Sequence, residues 1–72
     1  MNIVTVEGRQ YDLDAVPADA RTHIEQLTFL TTDLAKMLVP PIDLPAKLES
    51  TRVALAQALA AGLGQGVVGP EQ

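Results

Sequence analysis

The chain reads as an α+β protein, a β-hairpin at the N-terminus packed on an antiparallel two-helix hairpin, with a Gly-rich C-terminal tail. Three observations carry that reading. Residues from Val4 to Leu13 alternate apolar and polar around a Glu-Gly pair, apolar residues then recur at helical spacing in two stretches, and consecutive prolines separate those stretches.

The hairpin is expected over residues 2–13. A two-residue turn at Glu7-Gly8 sets Val6 opposite Arg9, Val4 opposite Tyr11 and Asn2 opposite Leu13. Val4, Val6, Tyr11 and Leu13 then share one face, while Ile3, Thr5, Gln10 and Asp12 share the other. An isolated hairpin is marginal in water, so the apolar face must lie on something. Glu7 is the weak point, because a type I′ turn needs positive φ at both central residues. A type I turn with a bulge at Gly8 is the competing register.

Pro17 suits the first turn of a helix, where its missing N–H has no partner to lose. From there Ala20, Ile24, Leu27, Thr31, Leu34 and Leu38 step along one face, and Phe29, Leu30 and Met37 widen the stripe. This predicts a helix over 17–38, with Asp19 in its first turn and Lys36 in its last to suit the helix dipole. Pro40-Pro41 ends it. A second helix is predicted over 44–61, capped by Asp43, with Leu44, Leu48, Thr51, Leu55, Ala58 and Leu59 on one side and Gly62 as its C′ residue. The domain is thus drawn at 1–61. Residues 62–72 hold too much Gly and Pro for regular structure and read as a tail.

Composition sets the functional classes. The chain has 72 residues, no Cys, no Trp and 3% aromatic residues, so a core of this size roughly balances the ordering entropy of the chain. Without disulfides or a ligand set for a structural metal, association with another chain is the remaining source of stability. A formal charge of -4 and a pI of 4.6 oppose binding to nucleic acid and to anionic membrane surfaces. The start, MNIVTV, lacks the basic and apolar regions of a secretion signal, which predicts a cytoplasmic protein.

No catalytic, cofactor-binding or metal-binding residue is predicted, and none of the enzyme patterns is complete. His23, the only imidazole, has Asp19 and Glu25 nearby but no second His and no Cys to build a metal shell. Ser50 has no His neighbour in sequence. Gly64-Gln65-Gly66-Val67-Val68-Gly69 spells a dinucleotide fingerprint, yet a helix precedes it where a strand is required. The telling feature is the run from Val53 to Pro70, which holds no charged residue. Its Gln, Gly and Pro content argues against a membrane span. Its small residues suit close approach of another protein.

The residues expected at an interface are Leu30, Leu34, Met37, Leu55, Leu59, Leu63, Val67 and Val68. They predict a non-enzymatic assembly or interaction protein, self-associating or a minor subunit of a larger complex. A small acidic regulator binding a basic patch on a host enzyme through Asp12, Asp14, Asp19 and Glu25 is the alternative. Size in solution, alone and with a target, separates the two.

The segments Val4 to Leu13, Ala20-Arg21, Leu27-Thr28-Phe29 and Arg52-Val-Ala-Leu-Ala-Gln-Ala-Leu59 resemble a family of short bacterial and phage proteins. That family opens on a Val-Thr-Ile-Asp-Gly-Lys-x-Tyr-x-Leu hairpin and continues into helix ending near Arg-x-Ala-Tyr-x-x-Ala-Leu. The resemblance covers roughly residues 4 to 60 and departs at Val39 to Ala46, where the family runs on as helix, and at Leu55, where a Tyr is usual. It implies the hairpin-on-helix fold and a phage particle as one setting, and it carries over no functional residue.

Overall fold

The structure, a computed structural model, describes residues 2–70. In chain order it comprises β1 (Ile3–Val6), β2 (Arg9–Asp12), α1 (Ala18–Phe29), a π turn (Leu30–Leu34), α2 (Leu44–Ala61) and β3 (Val67–Pro70).

The hairpin has the expected register, with Val4 opposite Tyr11 and Val6 opposite Arg9. Leu13 N donates to Asn2 O at 2.9 Å, so the pairing runs to the ends of the segment. Val6 and Tyr11 are buried, and Val4 and Leu13 pack against the same core. Glu7 has φ 51° and Gly8 φ 81°, so the turn is the two-residue form with both φ positive and not the bulged alternative. Holding a glutamate in that region costs about 1 kcal/mol. An ion pair offsets it: Arg52 Nε donates to Glu7 Oε1 at 2.9 Å and the guanidinium's second arm donates to Oε2 at 2.7 Å.

Part of the expected tail is a strand. Residues Val67–Pro70 pair antiparallel with β2, giving the order β1-β2-β3 with β2 in the centre. The register shifts between Gln10 and Tyr11, which face Gly69 and Val67, so Val68 is the extra residue of a bulge. The fold therefore extends past the boundary drawn at residue 61. The chain reverses into β3 through a helix stop of the Schellman type. Leu63 N donates to Ala60 O at 3.1 Å and Gly64 N to Leu59 O at 2.8 Å. The left-handed residue there is Leu63, φ 59°, and not Gly62. Gly62 is small for a different reason: a Cβ on it would fall 2.4 Å from Pro17 Cγ.

The second helix spans Leu44–Ala61 as expected, whereas the first differs from expectation at both ends. Pro17 is the N-cap of α1, one residue before the helix proper. The first helix does not reach Leu38. Thr28, Thr31 and Thr32 turn their hydroxyls back onto the carbonyls of Ile24, Leu27 and Thr28, at 2.9, 2.9 and 2.6 Å. Such bonds compete with the backbone ladder and weaken a helix. Ala35 N then reaches Leu30 O at 3.1 Å, a π-type bond, and regular structure ends at Leu34, well before the prolines. Lys36 consequently lies outside the helix whose dipole it was expected to complement. Asp43 precedes α2 but makes no side-chain cap; its carboxylate lies 3.6 Å from Lys47 Nζ instead.

The helices run antiparallel. The start of α1 meets the end of α2 at Pro17 and Gly62, and the end of α1 at Leu30 faces the first turns of α2. Val6, Tyr11, Val16, Ala20, Ile24, Leu27 and Leu55 form the core between sheet and helices, with Leu48, Ala58, Leu59 and Val67 packed around it.

Candidate functional site

The stretch that joins the π turn to α2 is largely apolar and contributes none of its side chains to the core. Between Leu34 and Leu44 the chain runs Ala-Lys-Met-Leu-Val-Pro-Pro-Ile-Asp. Leu38 is 99% exposed, Val39 79% and Ile42 100%, and Met37 is half exposed. Two prolines remove backbone donors from this loop and restrict its residues, and Leu44 N closes a turn on Pro41 O at 3.1 Å. The loop is thereby a fixed apolar prong.

Beside it lies a groove of about 380 Å³ between the end of α1 and the start of α2. Gln26, Phe29 and Leu30 line one wall, and Ala46, Lys47 and Ser50 line the other. Phe29 is half exposed on its rim. The volume is at the lower end of the roughly 300–1,000 Å³ found for ligand-holding clefts. Charge on this part of the chain is balanced. Residues 30–47 hold Asp33, Lys36, Asp43 and Lys47, two acids and two bases, so the formal charge of -4 lies entirely on the rest of the molecule.

The expected interface residues divide into three groups. Leu30 and Leu55 are buried within the chain's own fold, and Leu30 also lines the groove. Leu34 is half-buried, and Leu59 and Val67 are partly buried, the latter two against the core. Met37, Leu63 and Val68 are exposed, Leu63 at 95%. Within the uncharged run Leu55 is buried and Leu59 and Val67 pack on the core, while Val53, Leu63 and Val68 are exposed. Among the described residues no helix is long and apolar enough to cross a membrane. The exposed residues missed by periodicity are Leu38, Val39 and Ile42. Their signal in the sequence is the apolar run around Pro40-Pro41, a pair that also reads as a plain helix terminator.

The remaining polar groups are arranged for structure. Glu7's carboxyl is held below its ordinary value, chiefly by the hydrogen bond from Arg52. Burial pushes the Tyr11 hydroxyl up. His23 Nδ1 lies 3.2 Å from Gln26 Oε1, one turn along the helix. Among the described residues no three His, Asp or Glu side chains gather as a metal site requires. Gly64 and Gly66 turn the chain into β3, with φ 75° and 89°, and among the described residues a strand and not a helix comes after them. Of the acidic residues considered for a regulator, Asp12 Oδ1 accepts bonds from Asn2 N and Asp14 N, and Glu25 pairs with Arg21 at 3.6 Å.

No protein-family model, curated protein or solved structure matches this chain.

Proposed function

We propose that the chain is a non-enzymatic interaction protein, self-associating or a minor subunit of a larger assembly such as a phage particle, and that it makes contact through the end of the molecule formed by the loop between α1 and α2. The single observation that carries this reading is the run from Leu38 to Ile42, whose aliphatic side chains stand in water on a proline-fixed loop. Leaving three large aliphatic side chains hydrated forgoes about 1.5–3 kcal/mol each, and contiguous exposed apolar surface of this kind marks contact sites. The acidic-regulator reading has less support, because Asp12 and Glu25 are engaged within the chain.

The test is Leu38→Asp. The residue touches nothing the fold depends on, so circular dichroism and melting should match the wild type. Complexes formed by the wild-type chain, with itself or with proteins of its source cell, should be lost. If complexes survive the substitution unchanged, the contact surface lies elsewhere.

A further inference from the structure

Granting that reading of the loop, we infer that its occupant is a second copy of this chain: the loop around Ile42 of each copy enters the groove between α1 and α2 of the other, in a two-fold dimer. Three observations on the same end of the molecule converge. The prong and the groove are neighbours, so one two-fold axis between two copies satisfies both at once, which is the self-complementarity that a symmetric dimer demands. The groove, about 380 Å³, sets Phe29, Leu30 and Ala46 among Gln26, Asp43, Lys47, Ser50 and Thr51, and its size admits side chains such as Leu38 and Ile42.

Area agrees with this. Leu38, Val39 and Ile42 with the exposed halves of Phe29 and Met37 offer on the order of 700 Å², close to the about 800 Å² that each partner contributes to a standard interface. Charge agrees as well. A chain of net charge -4 repels its copy, but residues 26–51, which hold the loop and line the groove, carry only Asp33, Asp43 and Glu49 against Lys36 and Lys47, close to neutral. Two copies that meet here bring nearly neutral surfaces together and keep the excess negative charge apart.

Two substitutions test the geometry. Ile42→Lys spoils the prong at a residue that makes no internal packing. Ala46→Glu spoils the groove at an exposed position in the first turn of α2, where a carboxylate suits the helix dipole and the fold is not threatened. By sedimentation equilibrium at micromolar concentrations the wild type should be a dimer, and each variant alone should dissociate at least tenfold more readily. Mixed in equal amounts, they should form a heterodimer tighter than either variant's own dimer. In that pair one contact is intact and the other sets Lys against Glu. A heterodimer no tighter than the single variants overturns the reciprocal arrangement, as does wild-type behaviour of either variant. A monomeric wild type overturns the second copy as occupant. In that case loss of a cellular complex on Leu38→Asp still supports the loop as a contact surface, so the two readings fail separately.

Discussion

Replacing Gly66 by Ala should remove a large part of this protein's margin of stability, for two reasons that can be measured apart. Gly66 sits at φ 89°, a region that L-residues occupy only at a cost. A Cβ built there would also lie 2.4 Å from Val16 Cγ1, 2.6 Å from Val16 N and 2.8 Å from Val16 Cα. Two of those atoms are backbone and cannot rotate away, so the turn must move off Val16 or the strand after it must detach. Gly64 supplies the control. Its φ is 75°, but nothing lies within 4 Å of a Cβ placed on it.

Gly64→Ala therefore reports the conformational penalty alone, about 1 kcal/mol. Gly66→Ala adds a clash of the overpacking kind, about 1–3 kcal/mol more, for a total on the order of 2–4 kcal/mol. In a chain this small each kcal/mol moves the melting temperature by about 4–8 °C, so the two variants should separate clearly in thermal and urea unfolding followed by circular dichroism. The amide of Asp12 donates to Gly66 O at 2.8 Å, and its hydrogen exchange should quicken in Gly66→Ala and not in Gly64→Ala. Equal stability for the two variants would refute the close contact with Val16, and with it the seating of β3 on the hairpin.

Three further outcomes are expected of the same structure. Tyr11→Ala should cost on the order of 3 kcal/mol in urea unfolding, because the ring is buried in the core, while Gln10→Ala should change stability by about 0.5 kcal/mol or less; equal losses would mean the register is wrong. Leu63→Gly should stabilise the chain by about 0.5–1 kcal/mol, since it removes a left-handed leucine that is almost wholly in water; a loss of stability would place Leu63 in a contact. The Glu7 carboxyl titrates below its ordinary 4.5 in the folded chain because of the bond from Arg52. Its contribution is therefore fully present above that value and fades as pH falls through the depressed one. Glu7→Gln should be less stable than the wild type at neutral pH and should approach it in acid; a difference that persists unchanged at low pH would mean that the ion pair is not its source.

How much of the fold is legible in the sequence depends on how local each determinant is. The hairpin face, Val4, Val6, Tyr11 and Leu13, is legible because a period of two and a two-residue turn are written within ten positions. The buried residues of α1, Ala20, Ile24 and Leu27, are legible for the same reason at helical spacing. The third strand is not. Val67 and Val68 are its only β-prone residues, and they stand among glycines. What holds them is pairing with β2 and the packing of Val67 on the core, reached because Gly66 passes close to Val16, fifty residues away in the chain. The Glu7–Arg52 pair, which offsets the unfavourable turn residue, joins positions 45 apart. Neither shows in any local pattern. The candidate interface is only partly legible, because absence of charge from Val53 to Pro70 signals burial without saying whether the burial is against the same chain or another.

The end of the first helix shows how a local signal can mislead and still point at function. Ala20, Ile24, Leu27, Thr31, Leu34 and Leu38 keep one face only if every turn is an α turn. The π-type bond from Ala35 N to Leu30 O inserts extra chain into one turn, so that all later positions fall behind by roughly one residue. Regular structure ends at Leu34, so Leu38 is not held on the helical face to which its spacing assigns it. Pro40 and Pro41 then prevent the helix from resuming and bringing it back. Where α1 ends early, Met37, Leu38, Val39 and Ile42 are left outward, in a stretch whose acids and bases cancel. Substituting Thr28, Thr31 and Thr32 by Ala would remove the hydroxyls that compete for α1's last carbonyls. A helix that then continued in α register would draw Leu38 back toward α2, taking away the surface on which association is proposed to depend.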